Sequence, residues 1–256
     1  MQFNEAQIQA IQHNTGPCMV IAGPGSGKTT VLTHRVRYLI ERYGVNPSDI
    51  LVITFTKAAA EQMKLKFKGL SEGRNSAVTF GTFHAVFFTI LKAAYNYSAH
   101  CIIKPQIQHE FVKDQMCRLE LEYDDENEAI AGVLSEISCV KGEAVNIDEY
   151  ESRCIPPQSF RIMYRAYDDM LVRKHLIDFD DMIVQCRELL MQREDYRRAW
   201  QNKYKYILID EFQDINKVQY EIVRMLAGKG DHLFIVGDDD QSIYRFRGAN
   251  IGNILG

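Results

Sequence analysis

Residues Ala22-Gly23-Pro24-Gly25-Ser26-Gly27-Lys28-Thr29-Thr30 bring glycines, a lysine and a hydroxyl together at the spacing that holds phosphate. The glycines allow backbone conformations closed to other residues and turn N–H groups inward. Lys28 adds a point charge for the terminal phosphates, and Thr29 adds a hydroxyl for a Mg²⁺ ion bridging them. Ala22 stands where such loops usually begin with glycine, and it is small enough to serve there. A second pair, Asp210-Glu211, lies far downstream and directly follows Tyr206-Ile207-Leu208-Ile209. Two acids at a strand end can cap the next helix. In a chain that also carries a phosphate loop, hydrolysis of a nucleoside triphosphate is the better account. Asp210 would then complete the Mg²⁺ site, usually through water, and Glu211 would orient and deprotonate the attacking water.

These residues need strand ends and helix starts to hold them. Cys18-Met19-Val20-Ile21 leads into the glycine loop, and Val31, Leu32, Val36, Leu39 and Ile40 recur at helical spacing after it. Ile50-Leu51-Val52-Ile53 reads as a fully buried parallel strand followed by an alanine-rich helix, and Val78-Thr79-Phe80 as a third short strand. Runs at 206–209 and 233–236 resume the pattern, so the expectation is a doubly wound sheet with ligands beyond its carboxyl edge. Phe3-Asn4-Glu5-Ala6-Gln7 opens a short amphipathic helix with Phe3, Ala6, Ile8 and Ile11 toward the core. From about Phe87 to Tyr204 the periodicity is helical. Ile130, Val133, Leu134, Ile137 and Val140 form one stripe, and Phe179, Met182, Ile183, Cys186, Leu189 and Leu190 form another. Pro156-Pro157 interrupts this block and Asp178 is placed to cap a helix from Phe179. The acidic run from Glu120 to Glu126 reads as a solvated helix end and loop.

A chain of 256 residues with 46% hydrophobic residues can bury a large core. No apolar run approaches the length of a membrane span and the N-terminus lacks the features of a signal peptide, so the expected location is cytoplasmic with no membrane partner. The six cysteines are scattered without a C-x-x-C pair, which signals neither a zinc site nor a disulfide framework. A net charge of −4 means that any surface for nucleic acid must be local. The absence of an Asn-Lys-x-Asp sequence disfavours guanine as the base.

Taken in order, several stretches resemble the UvrD/Rep/PcrA family of superfamily 1 DNA helicases. They are Phe3 to Gln7, Ala22 to Thr29, Thr54-Phe55-Thr56-Lys57-Ala58-Ala59-Ala60, Gly81-Thr82-Phe83-His84, Asp178-Phe179-Asp180-Asp181, Asp210-Glu211-Phe212-Gln213-Asp214, and 237–249 from Gly237-Asp238-Asp239-Asp240-Gln241 to Ala249. The resemblance implies a RecA-like α/β P-loop NTPase domain with a parallel sheet, residues 1–88 and 204–256, interrupted by a mainly α-helical inserted domain, residues 89–203. It implies ATP as the nucleotide, with Gln7 on the adenine, 22–30 around the phosphates, and Gln241 sensing the γ-phosphate. Thr30 stands where an arginine packing on adenine is common. Phe55, Tyr244 and Phe246, with His84 nearby, match the family's stacking residues for single-stranded bases, although in isolated windows all three aromatics would read as core residues. The partners implied are single-stranded DNA, a single/double-strand junction and unidentified repair or replication proteins. Such helicases use a second RecA-like domain with an arginine finger. These 256 residues are therefore expected to be an N-terminal motor half, inactive in unwinding alone. The alternatives are the helicase part of a helicase–nuclease and a stand-alone nucleotide-binding module.

Overall fold

The computed structural model describes residues 3–71, 77–229 and 232–238. Asp239, Asp240, Gln241, Tyr244 and Phe246, on which part of the sequence reading rests, lie outside the described residues. Among the described residues the chain runs α1 (Glu5–Gln12), β1 (Cys18–Ile21), α2 (Lys28–Tyr43), β2 (Ile50–Thr54), α3 (Lys57–Leu70), β3 (Thr79–Thr82) and α4 (Phe83–Ala94). It continues through α5 (Pro105–Arg118), α6 (Glu126–Gly142), α7 (Pro157–Arg173), α8 (Phe179–Gln192), α9 (Glu194–Lys203), β4 (Tyr206–Ile209), α10 (Lys217–Ala227) and β5 (Leu233–Gly237). All five apolar runs form strands, and β3 begins one residue later than its run, at Thr79.

The sheet is parallel throughout, in the order β1-β5-β4-β2-β3. Strands buried on both faces have no polar side to show, so β2 and β5 are continuously apolar and continuously buried, Thr54 excepted in polarity only. One face carries Ile50, Val52, Leu208, Phe234 and Val236. They pack with Leu32, Val36 and Leu39 of α2 and with Met63 and Phe67 of α3. Because every strand points the same way, the residues after β1, β5, β4, β2 and β3 emerge along one edge.

The chain separates into two compact units. The first comprises residues 1–86, 189–215 and 219–256, and the second 87–188 and 216–218. In the second unit Ile103, Val112, Met116, Ile130, Val133, Ile137, Val140, Phe160, Met163 and Tyr167 form the core. Two burial expectations need correction. In α1 only Ile11 is buried, whereas Ile8 is 40% exposed and Ala6 is exposed as well. Polar contacts at its end hold that helix, because Arg35 donates to Ala10 O, Ile11 O and His13 O at 3.1, 3.4 and 2.6 Å. Phe179 is 55% exposed at the first position of α8, where the apolar stripe has only just begun.

Candidate functional site

The glycine loop sits between β1 and α2, and its conformation requires glycine at two positions. Gly25 and Gly27 have φ of 74° and 85°, in the left-handed region that side chains avoid. Gly27 O accepts from the N–H groups of Thr30 and Val31 at 2.8 and 2.9 Å, which starts α2 immediately after the loop and directs the helix N-terminus toward it. Lys28 Nζ donates to Ala22 O at 3.0 Å and to Asp238 Oδ2 at 3.3 Å. Asp238 follows β5, the neighbour of β1, and Ala22 N donates to Gly237 O at 3.0 Å, so the two strand ends are tied together.

Asp210 follows β4. It is 3% exposed, its N–H donates to Ile53 O at 2.9 Å, and its Oδ1 is buried without a hydrogen-bond partner. Burial pushes its carboxyl up to about 6, the adjacent Glu211 charge adds to the rise, and Lys28 opposes it. A buried carboxylate oxygen with no partner is a poor arrangement for the protein alone and a good one for a hard cation. Mg²⁺ takes one or two protein oxygens and completes its shell with phosphate and water, so Thr29, half-buried in the first turn of α2, and Asp210 suit it. Glu211 adopts φ 54° and ψ 46°, unusual for a residue with a side chain, and its carboxylate accepts from Gln213 Nε2 at 2.7 Å.

Gln7 reaches the loop from α1. Its Nε2 donates to Ser26 O at 3.0 Å and its Oε1 accepts from Asn4 N at 3.1 Å, within a reciprocal capping arrangement. Arg35, 3% exposed and stacked 4.3 Å over the Phe234 ring, holds α1 in this place through the carbonyls described above. The side chain of Thr30 turns to another partner. It is buried, and its hydroxyl accepts from Lys66 Nζ of α3 at 2.6 Å.

Farther along the same edge, Thr54 pairs with Thr82, so Phe55 and His84 follow neighbouring strands. Phe55 is 49% exposed just before Thr56, which caps α3 by accepting from Ala59 N at 3.1 Å. His84 lies in the first turn of α4, where burial holds its imidazole below the usual value. Thus Gln7, the loop, Lys28, Asp210 and Glu211 gather at the β1, β5 and β4 end, and Phe55 and His84 at the β2 and β3 end. Sequence reasoning assigned no role to Gln213, Asp238 or Arg35. The first two lay in quoted stretches at strand ends, and the signal available was an amide or an acid there.

The sequence model of the family described as UvrD/REP helicase N-terminal domain matches residues 3–256. Similar proteins include a putative ATP-dependent DNA helicase, YjcD, of Bacillus subtilis, 38% identical over 99% of this chain and 34% of the relative. The ATP-dependent DNA helicase PcrA of Staphylococcus epidermidis is 36% identical over 99% of the chain and 35% of its own length. The corresponding values for the ATP-dependent DNA helicase Rep of Escherichia coli are 36%, 100% and 38%. The chain therefore spans about a third of the length of the curated relatives it matches.

Proposed function

Because the chain belongs to the UvrD/REP helicase N-terminal domain family, we propose that it is the Mg·ATP- and single-stranded-DNA-binding motor part of an ATP-dependent DNA helicase. The motor domain comprises residues 1–88 and 204–256, and residues 89–203 form the helical insertion. The observation that carries the nucleotide half is the buried, unpartnered Oδ1 of Asp210 at the strand end beside the one that bears Asp238, the partner of Lys28.

In this reading the loop N–H groups and Lys28 bind the β- and γ-phosphates, and the amide of Gln7 meets the adenine. Thr29 and Asp210 would hold Mg²⁺, whose charge neutralises the phosphate oxygens when it is bound. The water oxygen bonds to the γ-phosphorus as the bond to the bridging oxygen breaks. That electron pair leaves with ADP, and the water proton passes to the Glu211 carboxylate. Phe55, Tyr244 and Phe246 would offer π-faces to successive bases without reading sequence, with His84 as a further contact. Gln241 reports the γ-phosphate to that surface. Unwinding is proposed for the whole protein, in concert with a second RecA-like domain.

The test is Glu211→Gln in the full-length protein. The amide keeps the shape but takes no proton, so binding of an ATP analogue should persist while turnover falls by ~10²–10⁴. Hydrolysis at the parent rate would place the base elsewhere.

A further inference from the structure

After β4 the chain makes a tight 3-10 turn, Phe212–Asp214, in which Asp214 N donates to Glu211 O at 3.1 Å. The turn folds Gln213 back beneath Glu211, where it is 6% exposed. Both ends of its amide are used. Nε2 donates to Glu211 Oε2 at 2.7 Å, and Oε1 accepts from Asp238 N at 3.1 Å. A backbone N–H can only donate, so the amide oxygen must face Asp238, which leaves the NH₂ group toward the carboxylate.

We propose that Gln213 is a positioning residue for hydrolysis, holding the Glu211 carboxylate in register with the phosphate-binding lysine through the backbone of Asp238. The inference rests on the reading of Glu211 as the base. A glutamate side chain on a half-exposed turn has several rotamers, and only some of them aim at a water on the γ-phosphate. The buried Gln213 cannot follow those excursions, and its bond selects one of them. Asp238 carries the register onward, since its carboxylate meets Lys28 at 3.3 Å. The residue type suits the task. A second carboxylate here would repel Glu211, and a cation would bind the charge that must accept a proton, whereas a neutral donor orients the group and leaves its charge intact. Gly237 leaves room for the arrangement, because a Cβ there would lie 3.3 Å from Gln213 Oε1.

Two variants of the full-length protein test this. Gln213→Met keeps the volume and removes both hydrogen bonds. Gln213→Glu still accepts from Asp238 N but cannot donate to Glu211. Both should lower kcat roughly 10- to 100-fold while affinity for a non-hydrolysable Mg·ATP analogue stays at the parent value. The loss of kcat at parent affinity for the analogue should appear in the folded fraction of both variants, whatever their melting temperatures. That split excludes a purely structural role, and Gln213→Glu carries the test if Gln213→Met fails to fold. Parent kcat in either variant, with Glu211→Gln inactive beside it, overturns the inference alone. An active Glu211→Gln overturns the hydrolytic reading beneath it.

Discussion

Two lysines, one in each compact unit, are held in opposite ways. Lys28 at the glycine loop has, among the described residues, one carboxylate, Asp238 at 3.3 Å, and one carbonyl, Ala22 O at 3.0 Å. Lys141 in α6 has three carboxylates, Asp168, Asp178 and Asp181, at 3.1, 3.0 and 2.7 Å, and lies 5.2 Å from the centre of the Tyr167 ring. Burial alone would lower the ammonium pKa of Lys141, but the three carboxylates raise it well above the ordinary lysine value. Asp178 and Asp181 also cap α8 reciprocally, with Asp181 N donating to Asp178 Oδ1 and Asp178 N to Asp181 Oδ2 at 2.6 and 3.2 Å. Lys141 therefore fastens α6 and α7 to the start of α8, with its charge already more than matched. Lys28 meets one carboxylate among the described residues, so in the proposed reading it keeps charge to offer a triphosphate while it stays beside Asp238. A lysine that is to meet a ligand needs charge to spare, and one that joins helices does not.

The largest effect should come from breaking the tight case. Lys141→Met leaves three carboxylates facing one another, and removing one partner of a buried ion pair costs about 3–5 kcal/mol. Urea unfolding should show that loss, while the folded protein keeps its affinity for an ATP analogue. A parent-like midpoint would mean that the cluster does not fasten the helices. For the loose case, Lys28→Ala should weaken binding of a Mg·ATP analogue by about 1.5–3 kcal/mol, the range for a hydrogen bond to a charged group, with only a small change in unfolding midpoint. Calorimetry decides this, and unchanged affinity would remove the phosphate-loop assignment.

Phe55→Ala extends the comparison to the exposed end of the same sheet edge. If Phe55 stacks on a base, single-stranded DNA binding should lose about 1–3 kcal/mol irrespective of sequence, and the melting temperature should hold because half of the ring is already in water. A falling melting temperature with unchanged binding would make it a packing residue.

The smallest effect concerns the surplus charge around Lys141. Burial and the Asp178 charge push Asp180 from its ordinary value of 3.8 up to about 6, against the hydrogen bond donated by Ser138, and burial and Asp178 likewise push Asp181 to about 6. The folded protein then binds more protons than the unfolded chain between those values. This contribution to stability is full below pH about 4, declines as pH rises, and is gone above about 6. Asp180→Asn keeps an oxygen for Ser138 and removes part of that decline. It should stabilise the protein at pH 7.5 by about 1 kcal/mol and flatten the dependence between pH 4 and 6. A variant that is less stable at pH 7.5 would show that the Asp180 charge is favourable where it lies.

The α/β class was legible because the evidence for it is local. The apolar runs at 18–21, 50–53, 78–80, 206–209 and 233–236 became strands, and the positive-φ glycines at 25 and 27 sat where the loop pattern put them. The capping of α8 by Asp178 was legible for the same reason, since cap and helix are neighbours in sequence. Periodicity failed where a helix is fastened by polar contacts at its end, as α1 is by Arg35, because an amphipathic pattern carries no information about a guanidinium more than twenty residues away.

The sequence by itself therefore determined the element types, the glycine loop between β1 and α2, the acids at the end of β4 and the aromatic residue after β2. Each follows from side-chain periodicity or from backbone geometry within a few residues. Only the tertiary structure decided that β5 lies between β1 and β4. That order sets Asp238 beside Lys28 across 210 positions and Gln213 beside both Glu211 and the Asp238 backbone. Strand order arises from how whole faces of the sheet pack against α2 and α3, a sum over many apolar contacts. No short stretch of residues encodes such a sum.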